Sequence, residues 1–290
     1  MGRRGVVTVL SSNYSGSHFL SLLLGSHSSM AHLGEVRRMH DGRWPSVCTR
    51  CGDQMCPVIT GVAERPVEET YAQIFENLSR MERRVDVLID TSKSLGWAKK
   101  HVHSEYRLRY IHLVRDPRAL VRRWLQRDPG LLRRVKERAA RIREQPRVAP
   151  IARLAIAEYP MLLAYQWLSE NKAITRFLKD NECVHRVVTY RDLALDTAST
   201  VRSITEWIGL PFEESQLSYW QHEHHGTTKL EYAWVAEQQR TGYFDDRWMH
   251  ELEPQIVEAV RRDQYLLAYV ESLGLTWVDD GLTRAPTRKA

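Results

Sequence analysis

Gly5–Phe19, GVVTVLSSNYSGSHF, decides how the rest of the chain is read. Val6–Leu10 is apolar except for one β-branched Thr, which predicts a strand buried in a parallel sheet. Ser11–Ser17 is a turn of small and polar residues. The apolar run Phe19–Leu24 predicts a helix behind it, with Gly25 standing where a C′ glycine would. Strand, turn and helix in this order aim backbone N–H groups and a helix N-terminus at an anion. Gly16 would let a phosphate approach the main chain closely. An ordinary βα turn has the same pattern, so the turn alone does not name a ligand. No G-x-x-x-x-G-K-[ST] occurs anywhere, which separates this turn from a Walker A loop.

At 290 residues, 43% hydrophobic and 27% charged, the chain is expected to form one α/β domain. No apolar run approaches the length of a membrane span, and the one behind Met1-Gly2-Arg3-Arg4 is too short for a signal peptide. A cytoplasmic protein is the expectation, with no membrane partner. The net charge of +6 is local: Arg115–Arg153 holds twelve Arg and one Lys against four acids, a surplus of +9. That surplus would draw a polyanion. Residues 131–153 read as a basic helical insertion ended by Pro146 and Pro150. No nucleic-acid motif accompanies the charge, so no nucleic-acid partner is expected.

Further strands are predicted at Val85–Asp90, Tyr110–Val114 and Val184–Tyr190, and an amphipathic helix over 66–83. A long helix is expected over 152–180, kinked or broken by Pro160. Another should bury Val201, Ile204 and Ile208. The last is expected over 254–273, with Ile256, Val257, Val260, Leu267 and Val270 inward and residues 279–290 frayed. Cys48, Cys51 and Cys56, with His40 nearby, could hold zinc or a disulfide. Lacking a clear second pair, they are read as reduced structural thiols, and no metal is expected. Residues 219–248 are rich in aromatics, with His222, His224 and His225 among them, and are read as a lid and acceptor pocket.

Four elements, in order, carry a family resemblance over about residues 5–273. Ser15-Gly16-Ser17-x-Phe19 after the first strand resembles the 5′-phosphosulfate loop of sulfotransferases that use 3′-phosphoadenosine 5′-phosphosulfate (PAPS). Asp90-Thr91-Ser92-Lys93 resembles the segment they place beside the departing phosphate. Arg115-Asp116-Pro117-Arg118 is similar to their 3′-phosphate element, and Tyr190-Arg191-Asp192-Leu193 to their Y-E-D-L element. Glu35, twenty-one residues after Tyr14, lies where tyrosylprotein sulfotransferases and similar bacterial enzymes have a Gly-Glu pair.

The resemblance implies a single P-loop-like sulfotransferase domain over residues 1–290, with a central parallel sheet and helices on both faces. It implies sulfuryl transfer from PAPS, leaving 3′-phosphoadenosine 5′-phosphate (PAP), to a hydroxyl or amine of a small molecule or glycan, with peptide tyrosine a further candidate. Glu35 would be the base and Lys93 the stabiliser of the leaving group. Tyr14, Ser15, Gly16, Ser17, His18, Phe19, Arg115, Arg123, Arg127 and Tyr190 would bind the cofactor. Three positions depart from the family: Tyr14 replaces a cation, Arg123 a phosphate-binding Ser, and Arg191 a Glu. Those departures keep open a second reading, a non-catalytic PAPS-, PAP- or polyanion-binding protein. The sequence is silent on the acceptor's identity and on oligomeric state.

Overall fold

The computed structural model of the protein describes residues 4–41, 48, 50–51, 55–126, 158–227 and 240–286. Its centre is a five-stranded parallel sheet in the order β2-β3-β1-β4-β5. The strands are β1 (Gly5–Leu10), β2 (Met30–Gly34), β3 (Val87–Asp90), β4 (Arg107–Val114) and β5 (His185–Thr189). Every residue of β1 is buried, because both faces of the sheet are covered.

Alternate residues serve the two faces. Val7 and Val9 join a cluster with Leu20 and Leu24 of α1 (Ser17–Gly25). Val6 packs with Tyr71, Ile74 and Phe75 of α2 (Thr70–Arg80), and Leu10 with Phe177 of a later helix. The order places a switch between β1 and β4: the chain leaves β1 toward β2 and leaves β4 toward β5. In an open parallel sheet, such a point opens a crevice beyond the strands' carboxyl ends.

After β3 come α3 (Leu95–His101), β4 and α4 (Pro117–Leu125), with Pro117 in the first turn of α4. Then come α5 (Tyr159–Asp180), β5, α6 (Tyr190–Leu195) and α7 (Thr197–Ile208). Val201, Ile204 and Ile208 of α7 are buried, as the spacing predicts.

Four expectations are corrected or narrowed. Gly25 is not a C′ glycine: it lies inside α1, and a Cβ there would meet His32 Cβ at 2.5 Å, so it serves close helix–strand packing. Pro160 marks a helix boundary rather than a kink: Glu158 is the N-cap of α5 and Pro160 sits in its first turn, where its missing N–H costs nothing, while residues 152–157 of the expected helix lie outside the described residues. The last helix is two, α9 (Pro254–Arg262) and α10 (Gln264–Ser272), after the short α8 (Trp248–Glu251). Asp263 caps α10, accepting from Tyr265 N and Leu266 N, and Leu266 rather than Leu267 points inward. Finally, the described part of the expected frayed tail forms a hairpin, β6 (Leu275–Val278) with β7 (Gly281–Arg284), held to α6 by Thr283 Oγ1 and Asp192. The expected basic insertion over 131–153 lies outside the described residues, as do 228–239 of the expected lid. The described Arg118 and Arg122 of the Arg-rich segment are buried and paired with Asp116 and Glu251.

Candidate active site

All five strands end at one place. The loop after β1 turns through Tyr14 (φ 70) and Gly16 (φ 90) into α1. A Cβ on Gly16 would meet the Tyr190 ring at 2.6 Å, so a ring at the end of β5 rests on this loop. The N-terminus of α1 has no side-chain cap and no acidic residue in its first turn. Its first N–H groups therefore lack intrahelical acceptors. Beside them Ser11 Oγ and Ser15 Oγ are buried without hydrogen-bond partners. Buried donors left this way fit an anion.

Two strands away, β2 ends at Gly34 and delivers Glu35, and β3 ends at Asp90 and delivers Lys93. Lys93 Nζ donates to Glu35 Oε1 at 2.8 Å and stands 3.5 Å from Ser17 Oγ. The second carboxylate oxygen accepts from Arg38 Nε at 2.6 Å. Burial pushes the Glu35 carboxyl up, but the Lys93 charge and the hydrogen bonds from Lys93 and Arg38 outweigh it and hold it below its ordinary range. Glu35 is therefore ionised at neutral pH.

The loop that carries Lys93 is fixed by Asp90. The Asp90 carboxylate accepts from Ser92 N at 2.7 Å, Ser92 Oγ at 2.5 Å, Tyr71 OH at 2.7 Å and Trp97 Nε1 at 2.8 Å. Ser92 Oγ in turn accepts from Arg37 N at 3.0 Å, tying the β3 loop to the turn that carries Glu35. Lys93 itself has φ 58; of the four described non-glycine residues in the left-handed region, two, Tyr14 and Lys93, lie in this site.

On the other side, Arg115 follows β4. Its Nη1 donates to Tyr14 O at 2.7 Å, its Nη2 to Asp245 Oδ2 at 2.9 Å, and its Nε is buried without a partner. The guanidinium lies 4.2 Å over the Tyr190 ring. Tyr190 OH donates to Tyr243 O and accepts from Asp245 N, both at 2.9 Å, and Phe244 stacks on the ring. The 243–245 segment of the expected lid thus covers Arg115 and Tyr190.

The structure brings together Tyr14, Ser15, Gly16, Ser17, Glu35, Lys93, Arg115 and Tyr190. His18 is adjacent, its ring pushed down to about 3 by burial and then by Lys93, hence neutral. The Phe19 side chain turns into the core against Tyr219, at 5.7 Å between centroids, leaving only its N–H for a ligand. Arg123 lies 4.9 Å over the Tyr14 ring. Arg127 is outside the described residues.

The sequence reading missed Arg38, Asp245 and Thr227, and it read Asp90 only as part of a tetrad. Arg38 comes three residues after Glu35, a spacing too common to be a signal. Thr227 O accepts the Glu35 amide at 2.6 Å from nearly two hundred residues away. His40, considered beside the cysteines, bonds Thr70 Oγ1 at 2.9 Å instead.

No family model matches the sequence, and no curated protein matches it. Among the solved structures that share its fold are two sulfotransferase domains. A sulfotransferase domain from the curacin biosynthetic pathway superposes with a TM-score of 0.57 at 17% identity, covering 94% of this chain and 98% of its own. A sulfotransferase domain from the Synechococcus PCC 7002 olefin synthase gives 0.52 at 18%, covering 90% and 97%. The strand order, the loop after β1 and the neighbours agree: the chain has the fold of sulfotransferase domains.

Proposed function

We propose that this protein transfers a sulfuryl group from PAPS to a hydroxyl or amine of a small-molecule or glycan acceptor. The observation that carries the reading is Lys93 Nζ standing between Glu35 Oε1 and Ser17 Oγ. One cation lies between an ionised carboxylate and the uncapped first turn of α1. The residues fit the donor: free N–H groups and a partnerless Ser15 Oγ suit its 5′-phosphate, and Arg115 Nε suits its 3′-phosphate. When bound, PAPS supplies the activated S–O bond and a phosphate that departs with its electron pair.

The chain's own residues then divide the work. Glu35 takes the acceptor's proton as the acceptor oxygen or nitrogen forms its bond to sulfur. Lys93 and the N–H groups at Ser15–His18 face the negative charge left on the phosphate oxygen. Asp90 positions Lys93, and Arg38 orients Glu35. The two tasks need Lys93 to shift its hydrogen bond from Glu35 toward the loop, which frees the base.

The binding-only reading has less support. A pure binder has no need of a carboxylate held ionised beside the anion loop. Incubation with sulfur-labelled PAPS and a panel of glycans, phenols, peptides and amines tests the proposal. Label in an acceptor is the expected result; tight PAP binding without transfer to any acceptor favours the binder.

A further inference from the structure

Three cysteines and one histidine that take no part in this chemistry lie together below the Glu35 turn. The ligand atoms of Cys48, Cys51, Cys56 and His225 are all within 4.8 Å of one another. His225 Nδ1 is 3.5 Å from Cys51 Sγ, 3.5 Å from Cys56 Sγ and 3.8 Å from Cys48 Sγ. Zinc bonds of about 2.3 Å to sulfur and about 2.0 Å to nitrogen, set at tetrahedral angles, put S and N roughly 3.5 Å apart. The spacing therefore suits one small ion at the centre of the four atoms. None of the three thiols is in a disulfide, and Cys48 and Cys56 are buried.

A carboxylate also lies behind the ring, beyond direct hydrogen-bond distance. His225 Nε2 faces Glu223 Oε2 at 3.9 Å, and Arg50 Nη2 holds Glu223 Oε1 at 2.7 Å. A carboxylate behind a histidine whose other nitrogen points at thiols is a common outer arrangement of metal sites. Three thiolates and an imidazole favour a borderline-soft ion over calcium or magnesium, and four protein ligands leave no open position.

We propose that Cys48, Cys51, Cys56 and His225 bind one zinc ion in a closed structural site. The site joins two segments far apart in sequence. Two residues beyond His225, Thr227 bridges to both Cys48 and Gly34. Its N donates to Leu33 O at 2.8 Å, and its O accepts from Glu35 N at 2.6 Å. The ion clamps this segment beneath the turn that presents Glu35. A Cβ on Gly34, at φ +68, would meet Thr227 O at 2.1 Å, so the approach admits only glycine there. The consequence for catalysis rests on Glu35 as base; the ion itself does not.

Full-length protein purified under reducing conditions without chelator is expected to carry one zinc per chain by elemental analysis. Stripping the zinc and adding cobalt(II) alone should give thiolate-to-cobalt charge transfer and intense tetrahedral d–d bands. Cys51→Ser and His225→Ala should each weaken metal affinity at least tenfold, while Cys183→Ser, remote from the cluster, keeps full occupancy. Metal-free protein that binds no cobalt, an octahedral cobalt spectrum, or a disulfide between any two of the three cysteines overturns the site. These readouts need no activity, so they stand whether or not sulfuryl transfer is found.

Discussion

Lys93 Nζ lies 2.8 Å from Glu35 Oε1, and both side chains are largely shielded from solvent. A base paired this way is ionised but occupied. Glu35→Gln keeps the shape and loses the proton acceptor. Turnover is expected to fall by roughly 10²–10⁴, with PAP affinity changing little, because the base acts on the acceptor alone. A Glu35→Gln protein with normal steady-state turnover removes Glu35 from the mechanism.

The same pairing has a consequence for acid stability. The Glu35 pKa lies below its ordinary value of 4.5, so its ion pairs stabilise the fold fully above that value. They are lost as pH falls through the lower, folded value. The melting temperatures of wild type and Glu35→Gln should therefore differ most at neutral pH and converge as pH falls below 4.5 and through the lower folded value. A gap that widens on acidification contradicts the depressed pKa.

Lys93→Ala separates two roles. Removing the cation that holds Glu35 down should raise the carboxyl, shifting the acidic limb of kcat/KM to higher pH. Turnover should fall as well, since the leaving oxygen loses its cation. A rate loss with an unmoved limb places Lys93 on the leaving group alone and removes it from control of Glu35.

Arg115 is held by Tyr14 O and Asp245 Oδ2 but keeps a buried Nε without a partner. PAP should raise the melting temperature well beyond ADP, which lacks the 3′-phosphate. Arg115→Ala should erase that difference while leaving the smaller ADP shift. Equal shifts from both nucleotides in wild type dissociate Arg115 from the 3′-phosphate.

Four of the five sheet strands and the site's strand-end residues were legible because their signals are local; β2, Met30–Gly34, whose short run is broken by His32, was not. A continuous apolar run means a strand buried on both faces, and a polar residue just after it faces the crevice. Where one signal serves two structures, the reading failed. Gly25 after an apolar run suits a C′ position and a close helix–strand contact equally, and the clash with His32 decides. Asp263 falls inside the single helix expected over 254–273 and is the cap of a second. Trp277-Val278-Asp279-Asp280-Gly281-Leu282 carries a hairpin's Asp-Gly, overlooked for its place near the terminus. His225 had no local signal: its partners lie 169 to 177 positions away, and only folding joins them.

The departures at Tyr14 and Arg123 prove to be neighbours. Arg123 Cζ sits 4.9 Å over the Tyr14 ring, so the cation missing from the loop returns from α4. Tyr14→Phe keeps an aromatic face for that cation and should cost at most about tenfold in turnover, the worth of one neutral hydrogen bond of about 0.5–1.5 kcal/mol. Tyr14→Arg should do more harm. It sets a second guanidinium against Arg123 and beside Arg115, whose Nη1 already bonds Tyr14 O. Like charges this close repel, and Asp245, the carboxylate that Arg115 bonds, is already shared with Arg247. If the pair is a compensated exchange, Tyr14→Arg combined with Arg123→Ser gives the arrangement of the sulfotransferases it resembles and recovers part of the activity lost by Tyr14→Arg alone. A double-mutant cycle on kcat/KM measures this as a coupling free energy. Additive effects show that the two departures are independent, and a gain from Tyr14→Arg alone shows that the loop lacks charge.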